Sequence, residues 1–286
     1  MRNALFLFVL IYSFADAQNK RFSYEYAYVP DSTNKSGVLK EMLVLDVNPR
    51  GSEFYSYERF RADSLQAAEV KRQQNSNSET ISVEQTYKGK VFYTVSKEYP
   101  TFKVFLHSGL GIDHYKVSDD RKMTWKIFPE KQKIGEFEAQ KAETTFFGRK
   151  WIAWFSAEIP IQDGPYKFHG LPGLIVKIED AKASHSFLLK GISNYVKSDA
   201  SEIEKTLHFG KDIPVNYAQY KRLFLEEFND PTKSLRKLML EAGTNLKMFG
   251  PDGVEVKPAD IIRQRELKAK EDRKKNNNPL ELDLLN

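Results

Sequence analysis

The chain has 286 residues, with 44 Lys+Arg against 39 Asp+Glu, a formal net charge of +5 and no cysteine. Without a thiol it cannot be a disulfide scaffold, a cysteine-dependent enzyme or a zinc–thiolate protein. Removal of a 17-residue leader would leave 269 residues, enough to bury a core without covalent staples.

The N-terminus reads "MRNALFLFVLIYSFADAQ". Arg2 is a short positive region, Ala4 to Ile11 an unbroken apolar run, and Ala15-Asp16-Ala17 a small-x-small site. That order predicts a signal peptide over residues 1–17, cleaved before Gln18, and export to the periplasm or beyond the cell. The apolar run is well short of the roughly 20 residues a spanning helix needs. No later stretch is apolar enough either, so no transmembrane segment is expected.

From Arg21 to about Asp199 the pattern is β. "FSYEYAYV", "VLKEMLVLDV", "SEFYSYERF", "ISVEQTY", "KVFYTVS", "FKVFLHS" and "MTWKIFP" are short segments separated by turn residues such as Asn48-Pro49-Arg50-Gly51. Close spacing with turn signals predicts antiparallel sheet and no βαβ units. One helix is expected early, over "DSLQAAEVKRQQ", capped by Asp63 or Ser64.

Next comes "GRKWIAWFSAEIPIQDGPYKFHGLPGLIVKIED". Alternation puts Trp151, Ala153 and Phe155 on one strand face and Ile152, Trp154 and Ser156 on the other. Bulk on both faces predicts a strand covered on both sides. Pro160 ends the strand, and Asp163-Gly164-Pro165 turns the chain. In Leu171-Pro172-Gly173-Leu174 the Pro–Gly pair suits a type II turn, and a strand follows. The glycines do not make a phosphate cradle: the order is not that of a P-loop, and no helix N-terminus follows. The nucleophile-elbow serine is also missing.

After about Asp199 the texture becomes helical, giving a second region, 201–286, packed on the β-rich 18–200. Tyr217, Tyr220, Leu223, Phe224 and Phe228 line one helix face, ending near Asn229-Asp230-Pro231. "TKSLRKLMLEAG" continues as a second helix stopped by Gly243, and Lys257-Pro258-Ala259 opens a third that runs to about Lys275. Arg263 to Lys275 holds seven basic and three acidic residues without an aromatic, which reads as a solvated helix face. No nucleic-acid partner is expected. Asn276 to Asn278 read as a flexible break.

The motif Gly170-Leu171-Pro172-Gly173-Leu174-Ile175, with upstream Trp154, Ile159, Pro160, Gly164, Pro165 and Phe168 and the late "NPLEL", resembles the GLPGLI family. Its members are secreted or envelope-facing proteins of certain Gram-negative bacteria, with no established activity. A related domain forms a bowl-like N-terminal module on a secreted peptide-N-glycosidase, so the resemblance implies a strongly curved antiparallel sheet of bowl or half-barrel type, mainly β with appended helices (α+β). Ala139 departs from relatives that carry cysteine there.

The titratable residues around the motif are Glu158, Asp163, His169, Glu179, Asp180 and His185, and each suits an ordinary turn or strand end. No catalytic residue is assigned. His107 and His114 flank a turn, but no H-x-H or H-x-x-x-H spacing occurs, so neither metal nor cofactor is expected. The resulting expectation is an exported, non-enzymatic β-rich binding or accessory protein of the cell envelope. Its partner would be a protein, peptide, glycan or lipid-like ligand, met on a concave, aromatic-lined sheet by Trp151, Trp154, Tyr166, Phe168 and His169. That reading needs some of Tyr24, Tyr26, Tyr55, Tyr57, Trp151 and Trp154 to be exposed. Two alternatives stay open. A hydrolase would need Asp163 or Glu158 in a cleft with His169. A lipid carrier would need a closed apolar cavity of several hundred Å³.

Overall fold

A computed structural model describes residues 19–75, 89–195, 212–242 and 255–285. The expected leader and the "ISVEQTY" strand lie outside the described residues. The described chain forms a 12-stranded sheet. Its strands are β1 (Lys20–Tyr28), β2 (Leu39–Asn48), β3 (Gly51–Ser56), β4 (Thr94–Glu98), β5 (Lys103–Leu110), β6 (Asp113–Asp119), β7 (Lys126–Ile134), β8 (Phe137–Phe146), β9 (Arg149–Ser156), β10 (Leu174–Asp180), β11 (His185–Asn194) and β12 (Ile213–Asn216). The helices are α1 (Tyr57–Asn75), α2 (Tyr217–Asn229), α3 (Lys233–Ala242) and α4 (Pro258–Lys275).

The strand order is β12-β6-β5-β4-β3-β2-β1-β11-β10-β9-β8-β7. Every pairing is antiparallel except β12 with β6. The sheet is open, with edges at β12 and β7. β7 carries Lys126, Lys131, Lys133 and Pro129, residues that discourage further strand pairing. Because β12 belongs to the sheet, the chain after residue 200 contributes a strand as well as helices.

Registers place the buried alternate residues on one inner face. Tyr24 pairs Leu43, Leu43 pairs Ser56, Val95 pairs Leu106, Tyr26 pairs Phe187, and Ile178 pairs Ala153. Phe22, Tyr24, Phe54, Trp151, Phe168 and Phe187 are fully buried there. Each such ring stabilises by about 1.5–3 kcal/mol relative to exposure.

Three expectations are corrected. The early helix starts at Tyr57, not near Ser64, and Ser64 instead bonds back to the Phe60 carbonyl inside it at 2.7 Å. "YERF" therefore belongs to the helix and not to the strand before it. β9 is not covered on both sides: Trp151, Ala153 and Phe155 are buried, whereas Ile152 and Trp154 are half-exposed on the outer face. Asn276 to Asn278 are no flexible break, because Asn278 is buried and donates to the Val29 carbonyl at 2.7 Å. α2 follows its expected face, with a capping box in which Asn216 and Gln219 bond reciprocally. No described helix is long and apolar enough to cross a membrane.

Candidate functional site

The motif loop lies on the inner face of the sheet, held by buried charge. Asp163 and Lys97 are both fully buried and form an ion pair. The Lys97 ammonium also donates to the carbonyls of Gly164 (2.7 Å) and Phe168 (3.2 Å). The Asp163 carboxylate accepts from the Ser52 hydroxyl (2.6 Å), the Tyr99 hydroxyl and the Gly164 amide (2.6 Å). Every strong partner of the pair is thus internal. Burial holds the Lys97 ammonium below its usual pKa range, against the pull of Asp163. Removing one member of such a pair costs about 3–5 kcal/mol, since the other charge is left stranded.

A second cluster is built on Lys167, which is 2 % exposed and bonds Asp119 (2.8 Å) and Glu281 (2.5 Å). Arg121 joins Asp119, Glu281 and Asp283, while Tyr166 donates to Glu281. Burial pushes the Asp119 carboxyl up, but hydrogen bonds from Arg121 and the charge of Lys167 outweigh it and bring it to about 2. Tyr166 sits in left-handed backbone at φ 53°, rare for an aromatic residue and fixed here by its buried ring.

A third cluster centres on Arg149, which bonds Asp180 (3.0 Å), Asn278 Oδ1 (2.7 Å) and the carbonyls of Pro279 and Leu280. Beside it His185 Nε2 faces the Asn278 carbonyl at 3.1 Å, and Nδ1 faces the Tyr26 hydroxyl at 2.7 Å. A carbonyl can only accept, so the proton sits on Nε2 and Nδ1 accepts from Tyr26. Burial, then the Arg149 charge, lowers His185 to about 4.

The proposed binding residues do not form one site. Trp151, Tyr166 and Phe168 are buried together with Phe147; the Trp151 and Phe168 rings meet edge-to-face at 4.8 Å. His169 is half-buried and stacks on Phe102 at 5.2 Å, its Nδ1 facing the Lys167 carbonyl at 2.8 Å. Trp154 stands apart on the outer face. There its register partners are Lys141 of β8 and Lys177 of β10, and Ile152 pairs Glu143 and Glu179. Of the tyrosines, Tyr24 and Tyr26 are core, Tyr55 is half-buried and Tyr57 is 36 % exposed.

The motif turn differs from expectation. The Gly173 amide donates to the Leu171 carbonyl at 2.8 Å, closing a three-residue γ-turn about Pro172. Leu174 donates instead to the Ile159 carbonyl at 3.0 Å, so no type II turn forms. Gly173 lies at φ 151°, and a Cβ there would be 2.2 Å from the Ser156 carbonyl oxygen. Close approach to the end of β9, more than turn type, is what requires this glycine.

Chemically, the hydrolase geometry is not assembled at the motif. Asp163 is buried against Lys97 and bridged backbone-to-backbone with His169, and Glu158 is exposed and accepts from the Glu138 amide at 3.3 Å. Among the described residues no cluster of three His, Asp or Glu could hold a metal. A cleft of about 200 Å³ between Tyr28, Pro30, Val91 and Leu280 is smaller than a lipid carrier's cavity.

Sequence reasoning missed Lys97, Lys167, Arg149 and Glu281, the charged residues that hold the loop. Lys167 had a signal: it lies between two aromatics in "PYKFHG".

No curated protein matches the chain. Two solved structures of PNGF-II are similar to it. The P21 form gives a TM-score of 0.48 at 13% identity over 73% of this chain and 34% of that one. The C2 form gives 0.47 at 14% over 73% and 33%. The chain spans about a third of those chains' length. Residues 148–177, which run from the start of β9 through the motif into β10, match the family model described as "Protein of unknown function (Porph_ging)".

Proposed function

We infer that the protein is an exported binding or accessory module of the cell envelope, of the GLPGLI family, acting in the periplasm or outside the cell. The family reading is supported by the unbroken motif inside the matched residues 148–177. The leader is supported by the composition of residues 1–17. A bowl or half-barrel shape is supported by a broad sheet with one continuous inner face.

One observation carries the binding reading: the Trp154 indole is half-exposed on the outer face between Lys141 and Lys177. The inner face is filled by the protein's own loop and late segment, so recognition belongs outside. A half-buried aromatic platform flanked by cations and by Glu143 and Glu179 suits a glycan or a peptide, whose flat apolar face stacks while polar groups bond at the rim. A lipid-like ligand is less well served by an open sheet.

The test is a tryptophan-fluorescence titration with envelope polysaccharide, peptidoglycan fragments and mixed oligopeptides. Trp154→Ala should weaken binding at least tenfold with little change in thermal midpoint. Equal binding by this variant would remove the site. N-terminal sequencing of exported protein should begin at Gln18.

A further inference from the structure

On the same outer face, on β4 and β5, three and four strands from β1, residues distant in sequence form a hydrogen-bonded relay. Ser96 Oγ on β4 lies 3.1 Å from His107 Nε2 on the adjacent β5. His107 Nδ1 lies 2.8 Å from Asp212 Oδ2, immediately before β12. Both distances are within the 2.6–3.2 Å or so at which nucleophile, base and orienting acid work together. A carboxylate can only accept, so Nδ1 carries the proton and the Nε2 lone pair faces the serine hydroxyl. The wrong tautomer, which would disable the base, is thereby disfavoured. The relay is open to solvent: the His107 and Asp212 side chains are 30 % and 32 % exposed.

The surroundings add what acyl transfer requires. Lys116 of β6 is the register partner of His107, and its ammonium sits 4.3 Å from the centre of the Phe105 ring. Phe105 is the register partner of Ser96. An apolar ring for an acyl or aryl group thus stands beside the serine, and a cation that could serve a developing oxyanion lies over that ring. The three buried charge clusters lack this feature, since each saturates its members internally and exposes no nucleophile.

We propose that Ser96, His107 and Asp212 form a serine-nucleophile site acting on small carboxylic esters. Ser96 Oγ bonds to the ester carbonyl carbon as its proton passes to His107 Nε2. The carbon–alkoxide bond breaks, and His107 returns that proton to the departing alkoxide. Water then bonds to the acyl carbon, giving one proton to His107; the bond between that carbon and Ser96 Oγ breaks, and His107 passes the proton to Ser96 Oγ. The net reaction is ester plus water to carboxylic acid plus alcohol. Ser96 and His107 are the catalytic residues, and Asp212 positions the imidazole. The site stands independently of the Trp154 reading, because it uses different strands and different side chains.

The test uses the full chain with a fluorophosphonate probe and with p-nitrophenyl acetate. The probe should add its mass at Ser96, located by peptide mass spectrometry. His107→Ala, which keeps the serine, should abolish labelling, and Asp212→Asn should slow it at least tenfold. Ester turnover should fall at least ~100-fold in Ser96→Ala, a partly exposed position where loss of one oxygen leaves the fold intact. Labelling absent from Ser96 in wild-type protein, or undiminished in His107→Ala, overturns the proposal. So does turnover that persists in Ser96→Ala, which would show simple imidazole catalysis.

Discussion

Gly173 and Gly170 stand three residues apart in one motif and are required for different reasons. At Gly170 the backbone is left-handed, φ 89°, but a Cβ would meet nothing within 4 Å. At Gly173 a Cβ would strike the Ser156 carbonyl oxygen at 2.2 Å and its carbon at 2.6 Å. Neither contact is the end of a flexible side chain, so the backbone of β9 itself would have to move. Gly170→Ala should therefore cost about 1–2 kcal/mol, the penalty of a left-handed conformation alone. Gly173→Ala should cost clearly more, and Gly173→Val should prevent stable folding. Urea unfolding of the alanine pair checks the order; equal losses would mean that the close approach to Ser156 does not matter. The sequence singled out both glycines and placed Gly173 in a Pro–Gly turn. It assigned the wrong turn because hydrogen-bond partners such as Ile159 are chosen by packing, not by the Pro–Gly pair.

At the scale of elements, the segment Asn276 to Leu285 behaves as a strap across the inner face. Asn278 bridges Val29 and Arg149, Glu281 enters the Lys167 cluster, and Leu284 is buried. Leu282 donates to the Phe147 carbonyl at 2.9 Å, tying the strap to the turn before β9. Glu281→Ala should destabilise by about 3 kcal/mol, near the lower end for a broken buried pair, because Lys167 keeps Asp119. Glu281→Gln, which retains an acceptor, should lose less. Hydrogen exchange should show faster amide exchange over 276–285 in the alanine variant, and unchanged stability would show the strap to be incidental. The helices were legible from the sequence where their periodicity or caps were strong: Pro258 and Lys275 bound α4 as expected, and Asn229 ends α2. α1 was misplaced because Tyr55 and Tyr57, two residues apart, carry the alternation of the preceding strand into the first residue of "YERF".

For the whole molecule, acid stability follows from buried imidazoles. His185 titrates near 6.5 when unfolded and is lowered to about 4 when folded. Between those values the unfolded chain binds a proton that the folded chain refuses, so stability falls as pH falls from 6.5 toward 4. That one group is worth roughly 3 kcal/mol across the window. His169 is also lowered, by burial first, and adds in the same direction. Asp119 acts in a more acidic window: its stabilisation is present above the usual carboxyl range and is lost as pH drops toward about 2. Stability measured by urea unfolding should therefore decline already between pH 6.5 and 4, before the carboxylates protonate. An NMR titration should place the His185 imidazole near 4, and a value near 6.5 would contradict its buried, neutral state.

Local patterning was enough for the β-rich character, the helical texture after about residue 200, the end of α2, the bounds of α4, and a motif whose glycines and prolines are structural. These are properties of nearest neighbours and short periods, set by backbone sterics and by the alternation of apolar residues. Tertiary structure alone decided which face of β9 is buried, and so which tryptophan can meet a ligand: Trp151 is core and Trp154 is outside. It also chose the partners of the buried charges. Lys97 and Asp163 are 66 residues apart, Lys167 and Glu281 114, and His107 and Asp212 105. A charged residue reads as solvated until the fold brings an opposite charge or a hydrogen-bond partner to it. That meeting depends on strand register across the sheet, which no local pattern encodes.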